Sequence, residues 1–219
     1  MPPKGEPTSD RAEALALTPV SRETESRLDQ FVALLLAWQR TTNLIAPSTV
    51  STLWTRHIAD SLQLLDLAPH AKVWIDMGSG AGFPGLMIAC ALGERAERVV
   101  HLVESNAKKA AFLRAAIAVT RAPARVHAMR MQKFVESFAG KADVVTARAV
   151  SPLRLLFAEC SGLLGDGTLG LFPKGQDVEA ELTEASKYWK IKADLVPSRT
   201  DPTGRIVVVH ALLPAGQRF

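Results

Sequence analysis

The chain is poor in the features that would mark it as secreted, membrane-bound or metal-stapled. Its 219 residues include two cysteines, Cys90 and Cys160. They stand far apart in apolar surroundings with no metal-ligand spacing, so a disulfide framework is excluded and two buried thiols are expected. No run of about 18 apolar residues exists, so no membrane span is expected. The opening Met1-Pro-Pro-Lys-Gly-Glu-Pro lacks the apolar core of a signal peptide. No internal repeat or low-complexity tract is present. A strong excess of one charge sign is lacking too: the net charge of +4 is compatible with nucleic acid but does not demand it. A soluble, cytoplasmic, monomeric protein with no membrane or metal partner is the expectation.

What is present is ordinary globular composition, 47% hydrophobic and 22% charged, in a length that suits one domain with a sizeable core. Residues 1–20 carry Pro2, Pro3, Gly5, Pro7 and Pro19 and read as a mobile tail. Residues 21–70 read as a helical segment. Ser21 is a suitable N-cap, with Glu23 and Glu25 in the first turn and Leu28, Phe31, Val32, Leu35, Leu36 and Trp38 on one stripe. Ser48 is a plausible cap for a second helix through Leu65. From Val73 the rhythm changes, and residues 71–219 read as the main domain, compact with 21–70.

Short β-rich runs at 73–76, 99–104, 125–129, 143–148 and 168–173 alternate with helical stretches around 84–93, 106–120, 132–138 and 151–164. That βαβ series predicts a parallel sheet covered on both faces. Two further runs, 191–197 and 205–212, flank the turn signal Asp201-Pro-Thr-Gly204 and predict an antiparallel hairpin at the sheet edge. The fold class is α/β, Rossmann-like, with a seven-stranded, mostly parallel sheet and an N-terminal helical appendage.

The chain is organised around Val73-Trp-Ile-Asp-Met-Gly-Ser-Gly-Ala-Gly-Phe-Pro-Gly85, a strand that ends in an acid and opens into glycines. Gly80 to Gly85 satisfies G-x-G-x-x-G, which alone is a weak dinucleotide signal. The larger pattern, Asp76-x-Gly78-x-Gly80-x-Gly82, is the loop of Rossmann-like methyltransferases that use S-adenosylmethionine (SAM). A nicotinamide cofactor would bring a doubly charged pyrophosphate to a loop whose acid repels it. The sulfonium and ammonium of SAM would be favoured by Asp76. Glu104, ending the second strand, suits ribose hydroxyls in either case.

The chain also resembles one family, the bacterial RsmG (GidB) methyltransferases, from about Leu28 to Ala211. The residues that carry the resemblance are Trp38-x4-Asn43-Leu44, Arg56-His57-Ile58-x-Asp60-Ser61, the glycine loop with Phe83-Pro84-Gly85, Lys108-Lys109-x-x-Phe112-Leu113, Asp143-Val-Val-x-x-Arg148-Ala149, and Lys174-Gly175. The resemblance implies methyl transfer from SAM, with S-adenosylhomocysteine as product, to N7 of a guanine in 16S rRNA. The partner would be that rRNA or the small ribosomal subunit. Carried over by position, the cofactor contacts are Gly78 and Phe83, the pair Met131 and Gln132, and Arg148, beside Asp76, Gly80, Gly82 and Glu104 from the loop pattern and the strand-end acid. Gln132 stands where the family often has an acid, and Glu104 where it usually has Asp.

Guanine N7 has a lone pair and no proton, so its methylation needs no general base and no catalytic acid or base is nominated. An exocyclic amine would call for an Asn/Asp-Pro-Pro-aromatic stretch after the fourth strand, where this chain has Thr146-Ala-Arg-Ala-Val. Asn43, His57, Arg148 and Lys174 are the candidates for the substrate side. Against that role, His57 and Asp60 read as a hydrogen-bonded brace, Asn43 as a turn cap, and Trp38 and Trp54 as core. Stacking of the base on Phe83 or a Trp is a further expectation. Lys108, Lys109, Arg114, Arg121, Arg125, Arg130 and Lys133, with Arg40 and Arg56, are either a solvated face or a phosphate-binding rim. Two other readings of the loop remain at this point, a nicotinamide-dependent oxidoreductase and a non-catalytic nucleotide sensor.

Overall fold

Every β-rich run of the sequence becomes a strand of one sheet. The computed structural model describes residues 7–93, 97–165 and 167–217. Ahead of the sheet lie α1 (Pro7–Leu17) and α2 (Arg22–Gln39). A run of short turns follows: a 3₁₀ turn Pro47–Thr52, a π turn Trp54–Ala59, α3 (Asp60–Leu62) and a second 3₁₀ turn Gln63–Leu67. Then β1 (Val73–Met77), α4 (Gly85–Leu92), β2 (Val99–Val103), α5 (Ala107–Thr120), β3 (Ala124–His127), α6 (Met131–Ser137), β4 (Val144–Thr146), α7 (Leu153–Cys160) and β5 (Leu169–Lys174) alternate. The chain ends with α8 (Val178–Ser186), β6 (Trp189–Pro197) and β7 (Arg205–Pro214).

The sheet order is β3-β2-β1-β4-β5-β7-β6, with β1 to β5 parallel. The last two strands form the expected antiparallel hairpin, and β7 inserts between β5 and β6 so that β6 takes the edge. Because side chains alternate along a strand, Trp74 joins the core beneath α2, α4 and α5, while Ile75 and Met77 join the core beneath α6, α7 and α8. Leu28, Phe31 and Leu35 of α2 belong to the first of these cores together with Leu86 and Phe112. Leu36 of the same predicted stripe is 41% exposed instead.

Three expectations need correction. The tail expected over 1–20 is helical from Pro7 to Leu17, and residues 1–6 lie outside the described residues. The stretch Thr8 to Leu17 carries no proline and is rich in helix formers. Tertiary contacts hold it: Asp10 accepts the backbone N–H groups of Trp54 (2.8 Å) and Thr55 (3.1 Å), and Arg11 pairs with Asp29 and Glu25. Ser48 does not cap a regular helix; the segment it was to open is broken into 3₁₀, π and α turns. Helix α8 was not anticipated, although Glu179 and Glu181 in its first turn are ordinary start signals. Ser21 does cap α2, accepting from the Thr24 N–H.

Candidate active site

The C-terminal ends of the parallel strands, where open α/β sheets bind ligands, carry two adjoining cavities of about 650 and 630 Å³. The glycine loop forms the floor of the first. After β1 the N–H groups of Gly78 and Ser79 both donate to the Val103 carbonyl, tying the loop to the end of β2. Gly78 has φ +75°, and a Cβ there would meet Val150 at 2.8 Å, so glycine alone lets the loop lie against the β4–α7 connection. Gly80 has φ +55°, and a Cβ on it would meet only the Gly78 carbonyl at 3.8 Å, with the cavity ahead of it.

Asp76 and Gly82, both expected at the cofactor, are not in the wall of either cavity. The strand alternation that turns Ile75 to one face turns Asp76 to the other, beneath the start of α4. There Asp76 is fully buried, and its Oδ2 accepts the Gly85 N–H at 3.1 Å. A Cβ on Gly85 would lie 2.5 Å from that of Asp76. Asp76 Oδ1 has no partner among the described residues, and burial pushes the carboxyl up to about 7. Direct charge attraction between this acid and SAM is therefore not what the geometry offers. Gly82 lies against Leu86 of α4.

Glu104 is where the sequence predicts, at the end of β2 in the first cavity. Its Oε2 accepts the Gly80 N–H (2.9 Å) and its Oε1 the Asn106 N–H (2.7 Å), so it braces the glycine loop and the start of α5. Each oxygen keeps a further lone pair. Met131 and Gln132, at the start of α6, line the same cavity, as do Lys109 and Arg130 from the basic group.

Arg148 lies in the wall common to both cavities. Its Nη1 donates to Asp60 Oδ2 (2.6 Å) and to the Arg56 carbonyl (2.8 Å), and its Nη2 donates to His57 Nδ1. A guanidinium has no acceptor, so Nδ1 carries the lone pair and the proton sits on Nε2, which donates to Thr49 Oγ1 at 2.9 Å. Burial first, then the charges of Arg148 and Arg56, hold the imidazole down at about 3. The predicted brace is thus real in outline but corrected in detail: His57 and Asp60 do not bond each other, and Arg148 joins them. Asp60 Oδ1 is taken by Gln63 and Thr200, each at 2.8 Å, which fastens the β6–β7 turn to the same cluster.

Phe83 lines the first cavity but is 6% exposed. The His57 ring stacks on it at 4.8 Å and Phe31 meets it edge-on, so it is not an open platform for a base. Trp54 is buried and Trp38 packs edge-on against Phe112, as core residues. Asn43 is exposed and lines neither cavity. Lys174 lines only the second cavity, where its Nζ bonds Glu181 and the Ser151 carbonyl, both at 2.8 Å. Arg56 lines that cavity too, whereas Arg40, Lys108, Arg114, Arg121, Arg125 and Lys133 are exposed away from both. Thr49 and Glu181 are site residues that sequence reasoning missed. Both cysteines are buried, and burial pushes the Cys90 thiol up to about 12.

A sheet of this order with a glycine loop after β1, an acid after β2 and a ligand-sized cavity between them is the fold of the class I SAM-dependent methyltransferases. An O-methyltransferase from Bacillus cereus solved with S-adenosylhomocysteine has the same fold, with a TM-score of 0.57 at 15% identity over 93% of this chain and 97% of its own. Residues 24–201 match the GidB family, rRNA small subunit methyltransferase G, and the chain belongs to that family. Two relatives named ribosomal RNA small subunit methyltransferase G, both from Bradyrhizobium, bear this out. The protein from strain BTAi1 is 61% identical over 93% of this chain and 92% of its own length. The protein from strain ORS 278 is 58% identical over 95% and 94%. Membership removes the oxidoreductase and sensor alternatives.

Proposed function

We propose that this chain transfers the methyl group of SAM to N7 of a guanine in 16S rRNA of the small ribosomal subunit. The observation that carries the reading is the pair of cavities that meet at Arg148: one is built for a nucleoside cofactor, and the other opens beside it with room for a base. The first suits SAM. Its volume falls in the range of small-molecule sites, Glu104 can take ribose hydroxyls, Met131 and Gln132 offer an apolar and an amide contact, and Gly80 leaves space where any side chain would intrude. SAM, when bound, supplies an electrophilic methyl group on a sulfonium.

The chain's own residues position and do not move protons. His57 is the imidazole nearest the junction, and both its nitrogens are committed, one to Arg148 and one to Thr49. Held neutral with its basic nitrogen occupied, it is unsuited to act as a general base, and N7 needs none. Arg148, fixed by three acceptors, keeps the wall between methyl donor and base rigid, so orientation is set before the reactants meet. N7 lies on the deep-groove edge of A-form RNA, closed to side chains, so the target guanine must be unpaired to enter.

The test is direct. Purified protein, SAM with a labelled methyl group, and small-subunit RNA or subunits should yield 7-methylguanine. Absence of that product with every such substrate refutes the reading.

A further inference from the structure

The second cavity holds three carboxylates, and they differ in what remains of them. Asp60 has both oxygens taken, by Arg148, Gln63 and Thr200. Asp201 Oδ1 accepts from the Thr203 N–H and hydroxyl, and its Oδ2 faces Arg56 at 3.6 Å. Glu181 is anchored through one oxygen alone: Oε2 accepts from Lys174 Nζ (2.8 Å) and from the Leu153 N–H (2.7 Å) at the start of α7. Oε1 has no partner among the described residues, and the side chain is 27% exposed. Glu181 lines the second cavity and not the first. It is a fixed acceptor with an uncommitted oxygen, set apart from the wall where N7 must meet the methyl group.

A guanine whose N7 edge faces that wall turns its opposite edge, with the 2-amino group and N1–H, into the part of the cavity that is not shared. We propose that Glu181 Oε1 accepts a hydrogen bond from the 2-amino group of the target guanine, making Glu181 the residue that sets base specificity. The inference rests on the second cavity being the base site. Adenine has no 2-amino group, and its N1 is an acceptor that a carboxylate repels. Methylation also places positive charge on the base, which makes its amino group a stronger donor, so the contact tightens along the reaction.

The experiment compares small-subunit RNA carrying guanosine at the methylated position with the same RNA carrying inosine, which keeps N7 and lacks the 2-amino group. The wild-type protein should methylate the guanosine RNA about 10- to 100-fold faster, the size of a lost charge-assisted hydrogen bond. Glu181→Ala should bring that ratio to about one, with Glu181→Gln between. Damage to the α7 start alone would lower both rates together and leave the ratio unchanged, which overturns the inference. Equal rates on the two RNAs by the wild-type protein overturn it as well, whether or not the variant folds. Failure of the wild-type protein to methylate even the guanosine RNA instead takes down the proposed function, and the inference with it.

Discussion

Asp76→Asn separates what the buried acid costs from what the loop gains by it. Asp76 is fully buried, with one carboxylate oxygen on the Gly85 N–H and the other without a partner among the described residues. Burial raises its pKa from 3.8 to about 7. A group that holds its proton more tightly when folded contributes stability that is complete at acid pH and lost as pH rises, here between about pH 4 and 7. At about 1.36 kcal/mol per pH unit the loss is about 4 kcal/mol. Asparagine mimics the protonated acid and can still accept from Gly85. Urea unfolding of both proteins from pH 4 to 7.5 is the assay. The variant should match the wild type near pH 4 and exceed it by about 2–4 kcal/mol at pH 7.5. A difference that stays constant over that range would refute the claim that Asp76 is ionised at a cost beneath the loop.

Three other perturbations probe separate parts of the molecule. Gly80→Val puts a branched side chain into the first cavity on a residue with φ +55°, and SAM affinity by calorimetry should fall at least about 100-fold. Gly85→Ala forces a methyl group to 2.5 Å from the Asp76 Cβ, and thermal unfolding should show a loss of about 2–4 kcal/mol. Asp10→Ala removes the acceptor for the Trp54 and Thr55 N–H groups, and should cost about 1–2 kcal/mol in the same measurement, an effect that a mobile tail would not show.

The sheet was legible because its signals are local. Alternating β-rich and helical stretches, the glycine loop and the Asp201–Gly204 turn each act within a few residues, and all seven strands stand where those signals put them. What failed depends on distant partners. Nothing in the sequence of α1 announces that Asp10 will meet the backbone of Trp54, 44 residues on, so prolines around it read as a tail. The stretch after Ser48 has helical periodicity, yet it must bring Trp54 and Ile58 into the core while Asp60 and His57 reach Arg148, and its turns change pitch to do both.

The site shows the same division at finer grain. Motif position gave Gly80, Glu104, Met131, Gln132 and Arg148 their places at the first cavity, since each follows a strand end and strand ends converge there. Position in a motif does not say which way the Asp76 side chain points: one residue of alternation sends it under α4. Arg148 was picked out as a cofactor contact, yet three of its donors go to Asp60, the Arg56 carbonyl and His57. Those acceptors come from a segment about 90 residues earlier in the chain, so the Arg56-His57-x-x-Asp60 motif and the Arg148-Ala149 motif are two halves of one structure. Neither half is a reactive group. The proposed transfer to N7 has no use for a free base, and the chain places at the shared wall a neutral imidazole and a guanidinium held by three acceptors.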